Sequence, residues 1–147
     1  MTKKYNFDNQ TSLDSVEEAA LAYNTPFNKV YFSRFGVSVN FVIDLMQSFK
    51  FSKQETAELA GISAKTLDRH FQSGRKFEAL QADRLIELAE LYTEGLALFG
   101  EQQKFLKWLD SKLPALNNTA PKEWLDTHHG ITLISDEIGR IRHGIFA

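Results

Sequence analysis

An all-α fold is predicted for this chain, and three observations predict it. Apolar residues recur at helical spacing nearly throughout, no apolar–polar alternation lasts more than a few residues, and only Pro26, Pro114 and Pro121 interrupt the 147 positions. Hydrophobic residues make up 43% of the chain, which is enough to bury a core. One domain, or two small helical lobes sharing a core, is therefore expected.

The elements follow in order. Asp14 and Glu17 form a capping-box pattern that opens a short helix to about Tyr23. The aromatic-rich stretch 24–37 (Phe27, Tyr31, Phe32, Phe35) reads as a loop or short helix packed on the main body. Gly36 and Ser38 mark a break before Val42, Leu45, Met46 and Phe49, which share one helix face. Ser52 and Glu55 make a second capping box, Gly61 ends that helix, Ser63 caps the next, and Gly74 closes it. From Asp83 a longer helix carries Leu85, Leu88, Ala89, Tyr92, Leu96 and Phe99 on one stripe and ends at Gly100. Phe105, Trp108 and Leu109 lie on a helix that Pro114 stops. Residues 116–120 read as a linker, Thr119 as the cap of a short helix through Pro121, Trp124 and Leu125, and Gly130 as its stop. Ile134, Ile138 and Ile141 mark the last helix. There are no internal repeats and no low-complexity tracts.

Composition excludes several classes. Cysteine is absent, so there is no disulfide framework, thiolate metal site or cysteine nucleophile. The first residues contain no apolar stretch fit for a signal peptide, and nowhere do about 18 apolar residues run together as a membrane span requires. A cytoplasmic location with no membrane partner is expected. The net charge of −2 argues weakly against nucleic acid, but its distribution says more. Residues 63–76 carry Lys65, Arg69, Arg75 and Lys76 against the single acid Asp68, whereas residues 81–147 carry seven Lys/Arg against ten Asp/Glu.

That basic patch coincides with the strongest local pattern, a helix-turn-helix over residues 52–72. Two helices crossing steeply need a small residue in the first, and Ala57 supplies it. The tight turn needs a residue tolerant of positive φ, and Gly61 supplies that. Ile62 and Leu67 are placed to plug the angle between the helices. Lys65, Arg69 and Gln72 then recur at i, i+4 and i+7, opposite Leu67, and Ser63 sits at a helix N-terminus able to meet phosphate. The candidate DNA-binding residues are Lys53, Gln54, Ser63, Lys65, Thr66, Arg69, Gln72, Arg75 and Lys76. A plain helical hairpin with a solvated basic face would look similar. Capping box, small residue, turn glycine and basic second helix occurring together favour DNA. Glu55, Glu58 and Asp68 weaken the field of one copy, so a homodimer is expected, with the stripe 85–99, Phe105 and Trp108 offering surface for it.

Beyond residue 80 the order is Asp83-Arg84-Leu85, Phe99-Gly100, Trp108-Leu109, a proline-led short helix at Pro121, and the ending Arg140-Ile141-Arg142-His143-Gly144-Ile145-Phe146-Ala147. Together with Gly61-Ile62-Ser63 and Thr66-Leu67, this order resembles the Xre/MbcA/ParS antitoxin family over residues 36–147. Gln81-Ala82 departs from the acidic–serine pair more usual there. The resemblance implies a variable segment at 1–35, a helix-turn-helix at 36–80 and a small helical toxin-binding domain at 81–147. It also implies a partner, a RES-domain toxin that consumes NAD, and an operon repressed by the complex. This chain would carry no catalysis and no cofactor. The implied toxin-binding residues are Trp108, Trp124, Arg140, Ile141, His143, Gly144, Ile145, Phe146 and Ala147. The terminal mixture of cations with Ile145 and Phe146 suits a cleft built for an anionic dinucleotide. Taken without the resemblance, Ile141, Ile145 and Phe146 would simply pin the last helix, and both tryptophans would be core residues.

Enzyme readings find no constellation. His128-His129 lacks a third ligand at metal-site spacing, and a helix C-terminus before Gly130 explains the pair better, because the dipole there favours a charged imidazole. His70 is expected half-buried beside the second helix. No Gly-rich phosphate loop or nucleophile turn exists. A stand-alone regulator whose C-terminal half dimerises or senses a ligand, and a bundle adaptor that has lost DNA binding, remain the alternatives.

Overall fold

The computed structural model describes residues 15–17 and 25–144. Among them run seven α-helices: α1 (Pro26–Phe35), α2 (Val39–Phe49), α3 (Lys53–Ala60), α4 (Ala64–Ser73), α5 (Ala79–Phe99), α6 (Gln102–Leu109) and α7 (His128–Arg142). Two 3₁₀ turns, Pro114–Leu116 and Pro121–Trp124, connect α6 to α7. The capping box at Asp14 and the helix end at Tyr23 lie outside the described residues. The all-α expectation holds, and the ambiguous aromatic stretch is a helix, α1, started by the Thr25 cap and a proline in its first turn.

The long helix α5 organises everything else. α1, α2, α3, α6 and α7 all pack on it, so it is apolar on several sides, with Leu85, Ile86, Leu88, Ala89 and Leu91 buried. This corrects the single-stripe picture. Leu85, Leu88 and Phe105 are fully enclosed by this chain's own helices, while Tyr92, Leu96, Phe99 and Trp108 of the stripe offered for self-association are only partly buried. α5 also starts at Ala79 rather than Asp83. Just upstream, Val37 and Phe77 exchange backbone hydrogen bonds of 2.9 and 3.0 Å, which holds the chain against the core. Ala82, with no exposed surface, then has to lie inside the helix.

The connection between α6 and α7 is a packed corner, not a linker. Leu113 pairs with Thr119 across a turn in which Asn117 and Asn118 take left-handed conformations, and Leu116 is buried beneath it. Thr119 does not cap the following turn. Its hydroxyl donates to the Leu116 carbonyl at 2.6 Å and accepts from the Trp124 indole at 2.7 Å.

His128 and His129 are also corrected, because they open α7 instead of closing a helix. Thr127 is the cap, accepting the Gly130 N–H at 3.0 Å, so the dipole argument for a charged imidazole has the wrong sign there. Gly130 is present for space. A Cβ on it would collide with the Trp124 carbonyl oxygen.

Candidate functional site

The helix-turn-helix forms as the local sequence dictates. Ser52 and Glu55 cap each other reciprocally, the Glu55 N–H donating to the Ser52 hydroxyl at 3.0 Å and the Ser52 N–H to the Glu55 carboxylate at 3.2 Å. Ala57 is wholly buried where α3 meets α4. Gly61 turns the chain at φ +74°, its N–H donating to Glu58 O at 3.1 Å while Ile62 N–H reaches Ala57 O at 2.9 Å. Leu67 is fully buried and Ile62 packs beside the same core, so the second helix is fixed against the first.

Lys65, Arg69, Gln72, Arg75 and Lys76 are all exposed. Among the described residues no carboxylate pairs with any of the four cations. Arg69, Gln72 and Arg75, with Thr66 and His70, line a concavity of about 450 Å³ at the end of α4. His70 was the residue whose role the pattern did not show. Its ring stacks on Phe77 with centroids 4.1 Å apart, and its Nδ1 lies 2.9 Å from the Arg75 carbonyl oxygen. It thereby folds the segment after Gly74 back, bringing Arg75 beside Arg69.

Other candidates are occupied within the chain. Lys53 pairs with Asp68 at 2.9 Å and lies 6.0 Å above the Phe71 ring, so it neutralises the one acid on α4. Gln54 donates to Glu58 at 3.1 Å. The Ser63 hydroxyl accepts the Thr66 N–H at 3.1 Å and lies 2.9 Å from the Thr66 hydroxyl, so both side chains serve the cap of α4.

The C-terminal lobe is built differently. Ile131, Ile134 and Ile138 bury one face of α7 against α5. Arg140, His143 and Gly144 are exposed and Ile141 is half-buried, while Ile145, Phe146 and Ala147 lie outside the described residues. Arg140 is held by Glu137 at 3.4 Å. The two tryptophans separate: Trp108 packs half-buried on Phe99 and Phe105, whereas Trp124 keeps 39% of its surface exposed.

A groove of about 370 Å³ runs between α1, α5 and α7, lined by Glu87, Glu90, Glu94, Lys29 and His128. Burial raises the Glu90 carboxyl above its ordinary range, partly countered by Lys29 at 3.3 Å. His128 Nδ1 lies 2.8 Å from Glu87, and Ser135 donates to Glu94 at 2.7 Å. The helical spacing of the three glutamates was visible in the sequence, but nothing local indicated that α1 and α7 would enclose them.

The two lobes are joined directly. Lys122, on the second 3₁₀ turn, pairs with Glu55 of α3 at 2.9 Å, which lowers the Glu55 carboxyl below its ordinary value. Gln102 of α6 donates to the carbonyls of Gln47 and Ser48 on α2. No helix of the described residues is long and apolar enough to cross a membrane.

Comparison with known proteins places the second half. Residues 94–144, from the middle of α5 through α7, match the family described as the antitoxin Xre/MbcA/ParS C-terminal toxin-binding domain. Antitoxin Xre of Photorhabdus laumondii subsp. laumondii is 28% identical over 106 residues, covering 71% of this chain and 72% of that protein. Antitoxin Xre of Yersinia enterocolitica serotype O:8 is 24% identical over 116 residues, covering 76% and 78%. Residues 94–144 are thus similar to that family's toxin-binding domain, and about three quarters of the chain is similar to two antitoxins Xre.

Proposed function

We propose that this chain is an antitoxin, that it binds and neutralises an NAD-consuming toxin of the RES-domain type through its C-terminal lobe, and that it represses its own operon through α3 and α4. The observation that carries the proposal is one folded chain holding both the segment matched to a toxin-binding domain and a helix-turn-helix with unpaired outward cations. In the neutralising complex, exposed Trp124, Arg140 and His143 and the terminal Ile145 and Phe146 meet the toxin, the apolar groups anchoring and the cations entering its anion cleft. On DNA, α4 enters the major groove with Lys65, Arg69 and Gln72, while Arg75 and Lys76 follow the backbone. Two copies, alone or within a toxin–antitoxin assembly, supply the charge that one patch lacks.

The test is co-expression with the adjacent gene, following growth and cellular NAD, together with a gel-shift assay on the upstream promoter. Protection of growth and of NAD, with a promoter shift, is the expected result. A promoter shift without protection would instead identify a stand-alone regulator. Protection of growth from a toxin that leaves NAD untouched would remove the RES assignment.

A further inference from the structure

We propose that the cleft between the α2–α3 junction and α6 is an anion site that receives a phosphate group. The cleft measures about 290 Å³ and lies where the helix-turn-helix meets the C-terminal lobe, with Phe51 and Leu106 among its apolar lining. Lys50, Lys107 and Lys122 all reach it, and Asp110 is the single acid in its lining. Three lysines and one acid line the cleft, and because Glu55 neutralises Lys122 the local positive excess rests on Lys50 and Lys107, on a molecule whose net charge is −2. Lys122 is already partnered by Glu55 at 2.9 Å, but neither Lys50 nor Lys107 forms an ion pair among the described residues.

The backbone supplies a second observation. Lys50 closes α2 in the left-handed conformation, φ +56°, with its N–H donating to the Met46 carbonyl. Glycine is the residue that this position favours, since it carries no Cβ to strain the left-handed turn. A lysine held there despite the strain keeps this residue in the lining of the cleft. Lysines act as rotatable point charges, which suits a tetrahedral phosphate better than a planar carboxylate that asks for a bidentate fork.

The phosphate can come from two sources. Lys50 lies three residues before the start of α3, the helix that crosses the DNA backbone in helix-turn-helix complexes, so a backbone phosphate of bound DNA is the expected source. A free phosphorylated small molecule would meet the same charges.

The experiment uses the full chain, a Lys50→Gly variant, which fits the left-handed turn, a Lys107→Gln variant and the double variant. Inorganic phosphate is titrated while backbone amide chemical shifts are followed. Saturating movement of the Lys50, Phe51 and Lys107 amides in the parent, lost in the double variant with helicity unchanged, is expected. An equal phosphate response in parent and double variant, or none in the parent, would overturn the proposal. The source is then read from a promoter duplex titrated across salt. A log–log salt slope shallower by about 2 in the double variant identifies backbone phosphate, each lost contact removing about 0.9. An unchanged slope identifies a free phosphorylated molecule. The phosphate titration needs no DNA, so it stands whether or not α4 reads an operator.

Discussion

The helix-turn-helix, α3 with α4, and the lobe built by α5 to α7 use their side chains in opposite ways. α4 buries a single residue, Leu67, and turns its cations outward without partners. α7 buries Gly130, Ile131, Ile134 and Ile138 against α5, and its Arg140 is paired with Glu137. Under the proposed function, a helix that reads DNA has to keep its polar face solvated until the partner arrives, whereas a lobe that presents a terminal segment has first to hold that segment's helix in place. The contrast means that damage to the first should change binding with little effect on stability, and damage to the interior of the second should do the reverse.

The largest expected effect falls on the lobe's interior. Ile134→Ala removes a fully buried side chain and should cost about 2–5 kcal/mol of stability, measured by urea unfolding. Gly130→Val should be at least as damaging, because its Cβ has to displace the Trp124 carbonyl. If either variant unfolds at the parent's midpoint, the lobe is not packed as described.

Next comes the tail. Removing residues 144–147 leaves the buried isoleucines of α7 in place, so circular dichroism should be preserved while toxin neutralisation falls sharply in co-expression. Full protection by the truncated chain would move the contact elsewhere, and loss of helicity would make the tail a structural pin.

Replacing Lys65 and Arg69 together by alanine tests the opposite half. Both are exposed, so thermal stability should stay within about 0.5 kcal/mol of the parent. Promoter affinity should fall and its log–log salt slope should become shallower by about 2. An unaltered gel shift would remove α4 as the reading helix.

The smallest effect lies at the junction of the two halves. Glu55 is held below its ordinary value of 4.5, first by the Lys122 hydrogen bond, so its contribution is present above that value and is lost as pH falls through the lowered one. Lys122→Gln should therefore flatten the acid limb of the stability profile, by well under 1 kcal/mol because both side chains are more than a third exposed. Glu90 has the opposite sign. Its carboxyl is raised by burial, so it opposes folding increasingly as pH rises through its shifted value, and Glu90→Gln should remove that slope. An identical pH profile for parent and Glu90→Gln would show that the groove does not desolvate this carboxylate.

Local chemistry made much of this legible. The capping box at Ser52, the left-handed turn at Gly61, the buried Ala57 and Leu67 and the outward Lys65 and Arg69 each follow from interactions spanning a few residues. What failed was assigned from local context but decided at a distance. His128 and His129 looked like a helix end because Gly130 follows them, yet Gly130 is glycine on account of the Trp124 carbonyl. Thr119 looked like a cap, yet the Trp124 indole claims its hydroxyl.

The sequence by itself determined the helical class, the position of the helix-turn-helix and the candidate cations of its second helix, because periodicity, capping and turn conformation are short-range properties. Only the tertiary structure decided which cations stay unpaired, since Lys53 finds Asp68 and Lys122 finds Glu55 across different helices. It alone decided that the first half of the α5 stripe is buried inside the chain, that three glutamates share a groove with Lys29, and that Lys50 and Lys107 line one cleft. Those outcomes depend on which helices cross and where, and side-chain spacing along one helix carries no information about the helix that packs against it.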